Sequence, residues 1–399
     1  MNTGNTGASG SSHVITRRAL LAGAGAASVA ARIARSTSAA DNVLRILCWG
    51  GYDNGVAAKA FVDATGFTVK ADYIGANDEI FLKLRAGGLG HYDLVTPANG
   101  VIEALVGNGL IQPLDETKLP SIAQCLPQFQ KPSWSAVNNR FYAAPYVWGT
   151  VPMIYASRQT DAPTAWTDLF DDKFIGKIVL TNDSVSNIMI WNRALGAVDP
   201  AKVSTAQLNA TVQVLLRIKR EFASAYTNDM NVVTDLLVNG KGWVATTGWE
   251  SMPTFAAARA AALKVARPNP GVFSFCDNLC LVSNAPNPDA AHAFIDHMRS
   301  SDAQVVLMNA MKRATVNAEA VGKIDADARG AYDYDHLDQF IARNPFFGFP
   351  PFSVIDEEVA TYVDWINAWE AVTNARIGSF NPAPSTPTAS LRRSGSSRA

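Results

Sequence analysis

The chain has 399 residues, more than one hydrophobic core organises, so two lobes are the expectation. With 34 Lys and Arg against 35 Asp and Glu its formal charge is −1, which argues against a nucleic-acid binder with its basic stripe. Apolar residues make up 48% and charged residues 17%, an ordinary soluble globular composition.

Residues 1–40 read as a segment outside the fold. Arg17 and Arg18 precede a weakly apolar, Ala/Gly-rich run, and small residues follow at 37–40. That order marks a secretory signal, and the paired arginines before Leu20 and Leu21 point to the twin-arginine route and a periplasmic protein. The run is short and only gently apolar for a spanning helix. The segment carries four arginines and no acid, so the charge without it is −5. The tail 378–399 has three more arginines among Pro, Ser and Gly and reads as disordered, which leaves a folded body at −8.

In chain order, "NVLRILCWGGYDNG" predicts an apolar strand and a Gly-rich turn, and "VAAKAFVDATG" a helix capped by Gly66. "FTVKADYIG" is the next strand and "NDEIFLKLRAGG" a helix with Asn77 or Asp78 as its cap. "YDLVTPANGVIEALVGNGLIQPLD" repeats strand, turn and helix. After "RFYAAPYVWGTVPMIYAS" the pattern restarts: "TAWTDLFDDKFIGKIVLTNDSVSNIMIWNRAL" reads helix, strand, turn, helix, and "STAQLNATVQVLLRIKREF" is a long amphipathic helix. "GKGWVATTGWESMPTFAAARAAALK" gives strand, turn and helix, "GVFSFCDNLCLVSNAPN" a closing strand, and "PDAAHAFIDHMRSSDAQVVLMNAM" a helical pair. Strands alternating with short helices call for α/β sheets covered on both faces.

Chemistry-bearing motifs are few. Cys276 and Cys280 lie four apart on a predicted strand, too far to bridge comfortably, and Cys48 and Cys125 complete a set that reads as small buried residues. His292 and His297 are five apart on a helix where two zinc ligands prefer four, and neither a G-x-S-x-G elbow nor a P-loop is present. Catalysis therefore has little material, and no motif asks for a cofactor. Tyr332, Tyr334 and His336 in "AYDYDHLD" are the candidate metal ligands, on a segment expected to form an exposed loop and helix start. Asp277 stands out inside an apolar strand, where an ionised carboxylate needs a partner.

From about Asn42 to Ala375 the chain resembles bacterial periplasmic solute-binding proteins of the spermidine/putrescine type, the receptor components of ABC importers. The phrases that carry the resemblance, in order, are "CWGGYDNG", "YDLVTPANGVIEALVGNGLIQPLD", "APYVWGT", "TAWTDLFDDKFIGKIVLTND" and "GVFSFCDNLCLVSNAPN". It implies a two-lobed α/β fold of the type II periplasmic binding class with a ligand cleft between lobes: 41–148 in the first lobe, 149–277 in the second, and 278–377 returning to the first with the C-terminal helices. It implies a monomeric receptor without catalytic activity that takes a small amine and hands it to the permease. The solute is putrescine or spermidine, or alternatively a zwitterionic ω-amino acid.

The site residues implied by the resemblance each have a plainer alternative. Trp49 and Tyr52 form an aromatic wall that attracts a cation, or pack beside Gly50 and Gly51. Asn99 reaches the ligand, caps a helix, or both. Trp148 lines the cleft or packs at the crossing between lobes. Asp183 meets an ammonium group or only caps a helix, and the family's second acid three positions on is Ser186 here. Trp249, or Thr247 if the alignment slips by two, supplies a tryptophan position, and Glu250 either replaces the missing acid or favours a helix start. Asp277, after the aromatic Phe275, contacts a ligand amine or pairs with a local Lys or Arg. Arg313 stands where polyamine receptors show an aromatic; it either reads a ligand carboxylate or pairs with an acidic residue of the wall.

Overall fold

A computed structural model describes residues 42–259 and 262–378. The expected signal, and the expected tail beyond Gly378, lie outside these residues. The described chain divides into two compact units: 42–151, Trp249–Thr254 and Gly271–Phe349 in the first, and Pro152–Gly248, Phe255–Pro270 and 350–378 in the second.

The first unit is built on a seven-stranded sheet. Its order is Ala314–Thr315, Ala144–Thr150, Ser274–Val282, Leu94–Val95, Val43–Trp49 and Thr68–Ile74, with Ile111–Gln112 also on Ser274–Val282. Val43–Trp49 runs parallel to both its neighbours. Such strands are covered on both faces, and its side chains alternate accordingly. Leu44, Ile46 and Cys48 enter one apolar cluster with Phe61 and Phe294, while Leu47 enters another with Ile80, Phe81 and Val101. Ser274–Val282 does the same, with Leu279 and Leu281 in the first cluster and Cys280 and Val282 in the second.

Local signals set several boundaries. The Lys59–Thr65 helix ends at Gly66 in a left-handed turn (φ 72°), where the missing Cβ removes the steric cost. Asp78–Lys83 forms the next helix, but Asn77 does not cap it; its side-chain oxygen accepts instead from the Ala98 N–H at 2.9 Å. All four cysteines are buried thiols, and burial with nearby Asp53 and Asp72 pushes that of Cys48 up to about 12.

The second unit holds a five-stranded sheet in the order Ala223–Thr227, Ile178–Thr181, Val244–Ala245, Met153–Ala156 and Leu263–Ala266. The long amphipathic helix runs over Thr205–Arg217, opened by a Ser204/Gln207 capping box. Tyr362–Asn374, capped by Thr361 and Asp364, packs on it and on Ser184–Ala194 through Trp365, Trp369 and Val372. This C-terminal helix therefore groups with the second unit, whereas the sequence reading placed 278–377 wholly with the first. The reason is apolar area on its inner face, which a sequence window cannot assign to a neighbour. Buried Lys219 holds its end, Nζ donating to the carbonyls of Val372 (2.7 Å) and Thr373 (2.9 Å) over the face of Tyr226.

Candidate ligand-binding site

Ser274–Val282 pairs with Ala144–Thr150 across an irregularity: Asp277 faces Val147 and Asn278 faces Pro145, so Tyr146 is the extra residue. Bulges re-aim side chains, and they are where a sheet accepts a proline. At this place sits Asp277, 5% exposed. Its side-chain hydrogen bond comes from the Tyr52 hydroxyl, which donates to Oδ2 at 2.5 Å. Tyr52 is held in turn by an edge contact with the Tyr146 ring at 5.5 Å and by the Tyr146 hydroxyl, which donates to the Tyr52 carbonyl at 2.9 Å. Burial raises the Asp277 carboxyl to about 7, against the lowering effects of the Tyr52 bond and the Arg313 charge. The Tyr52 phenol is raised well above its ordinary value by burial and by that carboxylate.

Arg313 follows the Ser301–Met311 helix, which ends at Lys312 in the left-handed region (φ 54°), and precedes the short strand Ala314–Thr315. Its guanidinium lies over two aromatic faces, Cζ 5.0 Å from the Trp249 ring centre and 5.6 Å from that of Phe275. Nη1 is buried without a hydrogen-bond partner, and so is Nε1 of Trp49. Phe275 lies against Gly149, where a Cβ would sit 3.0 Å from its ring, so any larger residue would push the ring by a few tenths of an ångström.

Glu250 is buried and its carboxylate accepts internally: from the Thr150 N–H at 3.1 Å, from the Thr150 hydroxyl, and from the Tyr332 hydroxyl at 3.2 Å. Tyr332 is fully buried rather than part of an exposed loop, and Tyr334 bonds to the Thr315 backbone. The "AYDYDHLD" segment thus faces the core at its tyrosines while His336 is exposed. Among the described residues no three His, Cys, Asp or Glu side chains gather as metal ligands. Spacing did not single out Thr150 or Tyr332 as partners of Glu250, because the three lie on segments about a hundred residues apart.

Asn99 opens a short 3-10 turn after Ala98 and caps nothing. Its amide donates to the Phe347 carbonyl at 2.8 Å and accepts from the Cys276 N–H at 3.0 Å, which fixes the residue beside Asp277. Trp148 is fully buried among Phe129, Tyr332, Tyr334, Phe340 and Phe346, its indole N–H donating to the Thr315 carbonyl at 2.9 Å. Packing is what this side chain does.

In the second unit Asp183 caps the Ser184–Ala194 helix, accepting from the Ser186 N–H at 3.0 Å, and desolvation raises its carboxyl although Ser186 pulls it down. Thr247 is buried there against the Thr181 hydroxyl at 2.6 Å. The neighbouring Asn182 accepts from Tyr226 (2.5 Å) and from the Trp369 indole (2.9 Å). The structure thus links Tyr52, Asp277, Arg313, Phe275 and Trp249 in the first unit, with Trp49, Asn99, Trp148 and Glu250 also there, and places Asp183 and Ser186 in the second.

The first unit thus sets a buried carboxylate inside the Ser274–Val282 strand and a ring-stacked guanidinium just before Ala314–Thr315. The chain belongs to the bacterial extracellular solute-binding protein family, whose model matches residues 56–330. It is similar to spermidine/putrescine-binding periplasmic protein 1 of Haemophilus influenzae, 23% identical over 72% of this chain and 79% of that one. It is also 26% identical, over 74% of this chain and 84% of the relative, to a putrescine/cadaverine-binding protein of Pseudomonas aeruginosa. Among solved structures, the spermidine/putrescine ABC transporter substrate-binding protein PotD of Streptococcus pneumoniae shares the fold, with a TM-score of 0.67, 19% identity, and coverage of 83% of this chain and 98% of that one. Among the described residues no helix is long and apolar enough to cross a membrane.

Proposed function

We propose that this protein is the substrate-binding receptor of an ABC importer, capturing a small amine of the putrescine or spermidine class in the periplasm and passing it unchanged to the membrane permease. The observation that carries the reading is Asp277: a buried carboxyl whose one side-chain hydrogen bond comes from a neutral phenol keeps acceptor capacity for a ligand ammonium group. The relatives' names, spermidine/putrescine-binding and putrescine/cadaverine-binding, support the same class. Tyr52, Phe275 and Asn99 build the place around Asp277, and Asp183 and Ser186 are put forward as ligand-binding residues of the second unit. Export by the twin-arginine route, on Arg17 and Arg18, is part of the proposal. Arg313 favours a second reading within the same role, an amine that also carries a carboxylate.

The test is a thermal-shift panel of putrescine, cadaverine, spermidine, ω-amino acids, sugars and divalent cations. A ligand at a hundred times its dissociation constant adds about 2.7 kcal/mol of stability. Stabilisation by an amine, lost in Asp277→Asn, is the expected result. Stabilisation by sugars or metal ions alone overturns it.

A further inference from the structure

We infer that Trp369, on the Tyr362–Asn374 helix, is a positioning residue for ligand binding: its indole fixes the turn that carries Asp183. The inference rests on the reading of Asp183 as a ligand-binding residue given above. Ile178–Thr181 runs parallel to Ala223–Thr227, so Asn182 and Asp183 follow the carboxyl end of a strand, where open α/β sheets bind their ligands. The Asn182 N–H donates to the Thr227 carbonyl at 2.8 Å. Its side-chain oxygen accepts from the Tyr226 hydroxyl at 2.5 Å and from the Trp369 indole N–H at 2.9 Å, across 187 residues of sequence. The flanking residues are held by the following helix, where Asn187 donates to the Thr181 and Asp183 carbonyls at 2.9 and 2.8 Å.

The turn depends on the C-terminal helix more than the helix depends on the turn. The helix has its own anchors: Trp365 and Val372 are buried, Lys219 donates to two terminal carbonyls, and the Thr373 hydroxyl meets that of Tyr226 at 2.9 Å. Asn182 is exposed, so burial does not fix its side chain, and its two donors must. Nor is the indole bond a by-product of packing. Nε1 of Trp191 and of Trp365, on the two helices that pack together here, is buried without a partner, whereas Trp369 is 6% exposed and satisfied. Holding Asn182 in one arrangement removes ordering entropy that ligand binding would otherwise cost.

Calorimetric titration with putrescine and spermidine tests this on wild type, Trp369→Phe, Asp183→Asn and the double variant. Phenylalanine keeps a ring and deletes the N–H, while asparagine at 183 still caps the helix. Trp369→Phe is expected to weaken the tighter-binding amine roughly three- to tenfold, the range one hydrogen bond supplies. In the Asp183→Asn background the same change is expected to cost nothing further, the non-additivity of residues acting through one another. Without ligand, amide exchange at Ser186 is expected to quicken in Trp369→Phe. Asn182→Ala, on the exposed side of the bond, is expected to give the same loss and carries the test if Trp369→Phe does not fold. Wild-type affinity in Trp369→Phe, or an equal loss in both backgrounds, overturns the inference and leaves the role of Asp183 standing. Wild-type affinity in Asp183→Asn, or binding of neither amine, overturns both. If Asp183→Asn abolishes binding, the exchange rate at Ser186 decides, and an unchanged rate overturns the inference.

Discussion

The Tyr52 hydroxyl donates to Asp277 Oδ2 at 2.5 Å across 225 residues of sequence, and both groups are buried. A phenol can stabilise the carboxylate without neutralising it, so above about pH 7 the group keeps a negative charge to offer. Asp277→Asn keeps the shape and removes that charge. Amine affinity is expected to fall by roughly a hundredfold, about 3 kcal/mol, as for one partner of a buried charge pair. The melting temperature without ligand should hold or rise, because a desolvated charge has gone. Calorimetry beside a thermal melt checks both; undiminished affinity would refute the assignment of Asp277.

Asp277 also sets a pH dependence. Its carboxyl titrates at about 7 in the folded chain against an ordinary 3.8, so between these values the folded state holds a proton that the unfolded state has lost. Stability relative to Asp277→Asn is therefore greatest below about pH 4, declines as pH rises toward 7, and is flat above. An amine needs the ionised form, so affinity should drop toward tenfold per pH unit below 7, with proton release on binding. Titrations at pH 5.5, 6.5 and 7.5 in buffers of different ionisation enthalpy measure this, and a flat profile would count against it.

Tyr52→Phe removes the one side-chain hydrogen bond of Asp277. Leaving a buried acceptor unsatisfied costs about 1–3 kcal/mol, and the carboxyl is pushed further up. Amine affinity at pH 7 should fall, and raising the pH to 8.5 should restore part of it. Recovery with pH separates a shifted carboxyl from a damaged site.

Trp148→Ala is expected to behave as a core lesion. The ring fills an aromatic cluster completely, and deleting it costs about 3–5 kcal/mol. The midpoint of urea unfolding reports this. If Trp148 were chiefly a ligand wall, affinity would collapse while the midpoint stayed in place.

Lys219→Met tests the end of the Tyr362–Asn374 helix. Removing Nζ strips donors from two terminal carbonyls, worth about 1–3 kcal/mol. Hydrogen exchange should quicken in the last turn of that helix, with exchange in the first unit's sheet unchanged.

The sequence by itself determined what local chemistry fixes. Apolar runs made strands, Gly66 ended its helix because only a residue without a Cβ turns left-handed at no cost, and Asp183 capped the helix it precedes. Five short phrases in order were enough to indicate the family, and the odd charge in "FCDNLC" pointed to Asp277. Tertiary structure decided what each of these residues meets. Asn77 and Asn99 looked like caps, yet both spend their amides on backbone groups of distant segments. Glu250 found Thr150 and Tyr332, Trp148 went to the core, and Arg313 settled over Trp249 and Phe275. The physical reason is range. Backbone conformation answers to neighbours a few residues away, whereas the partner of a buried charge is set by strand register and by bulges that bring remote segments within hydrogen-bonding distance.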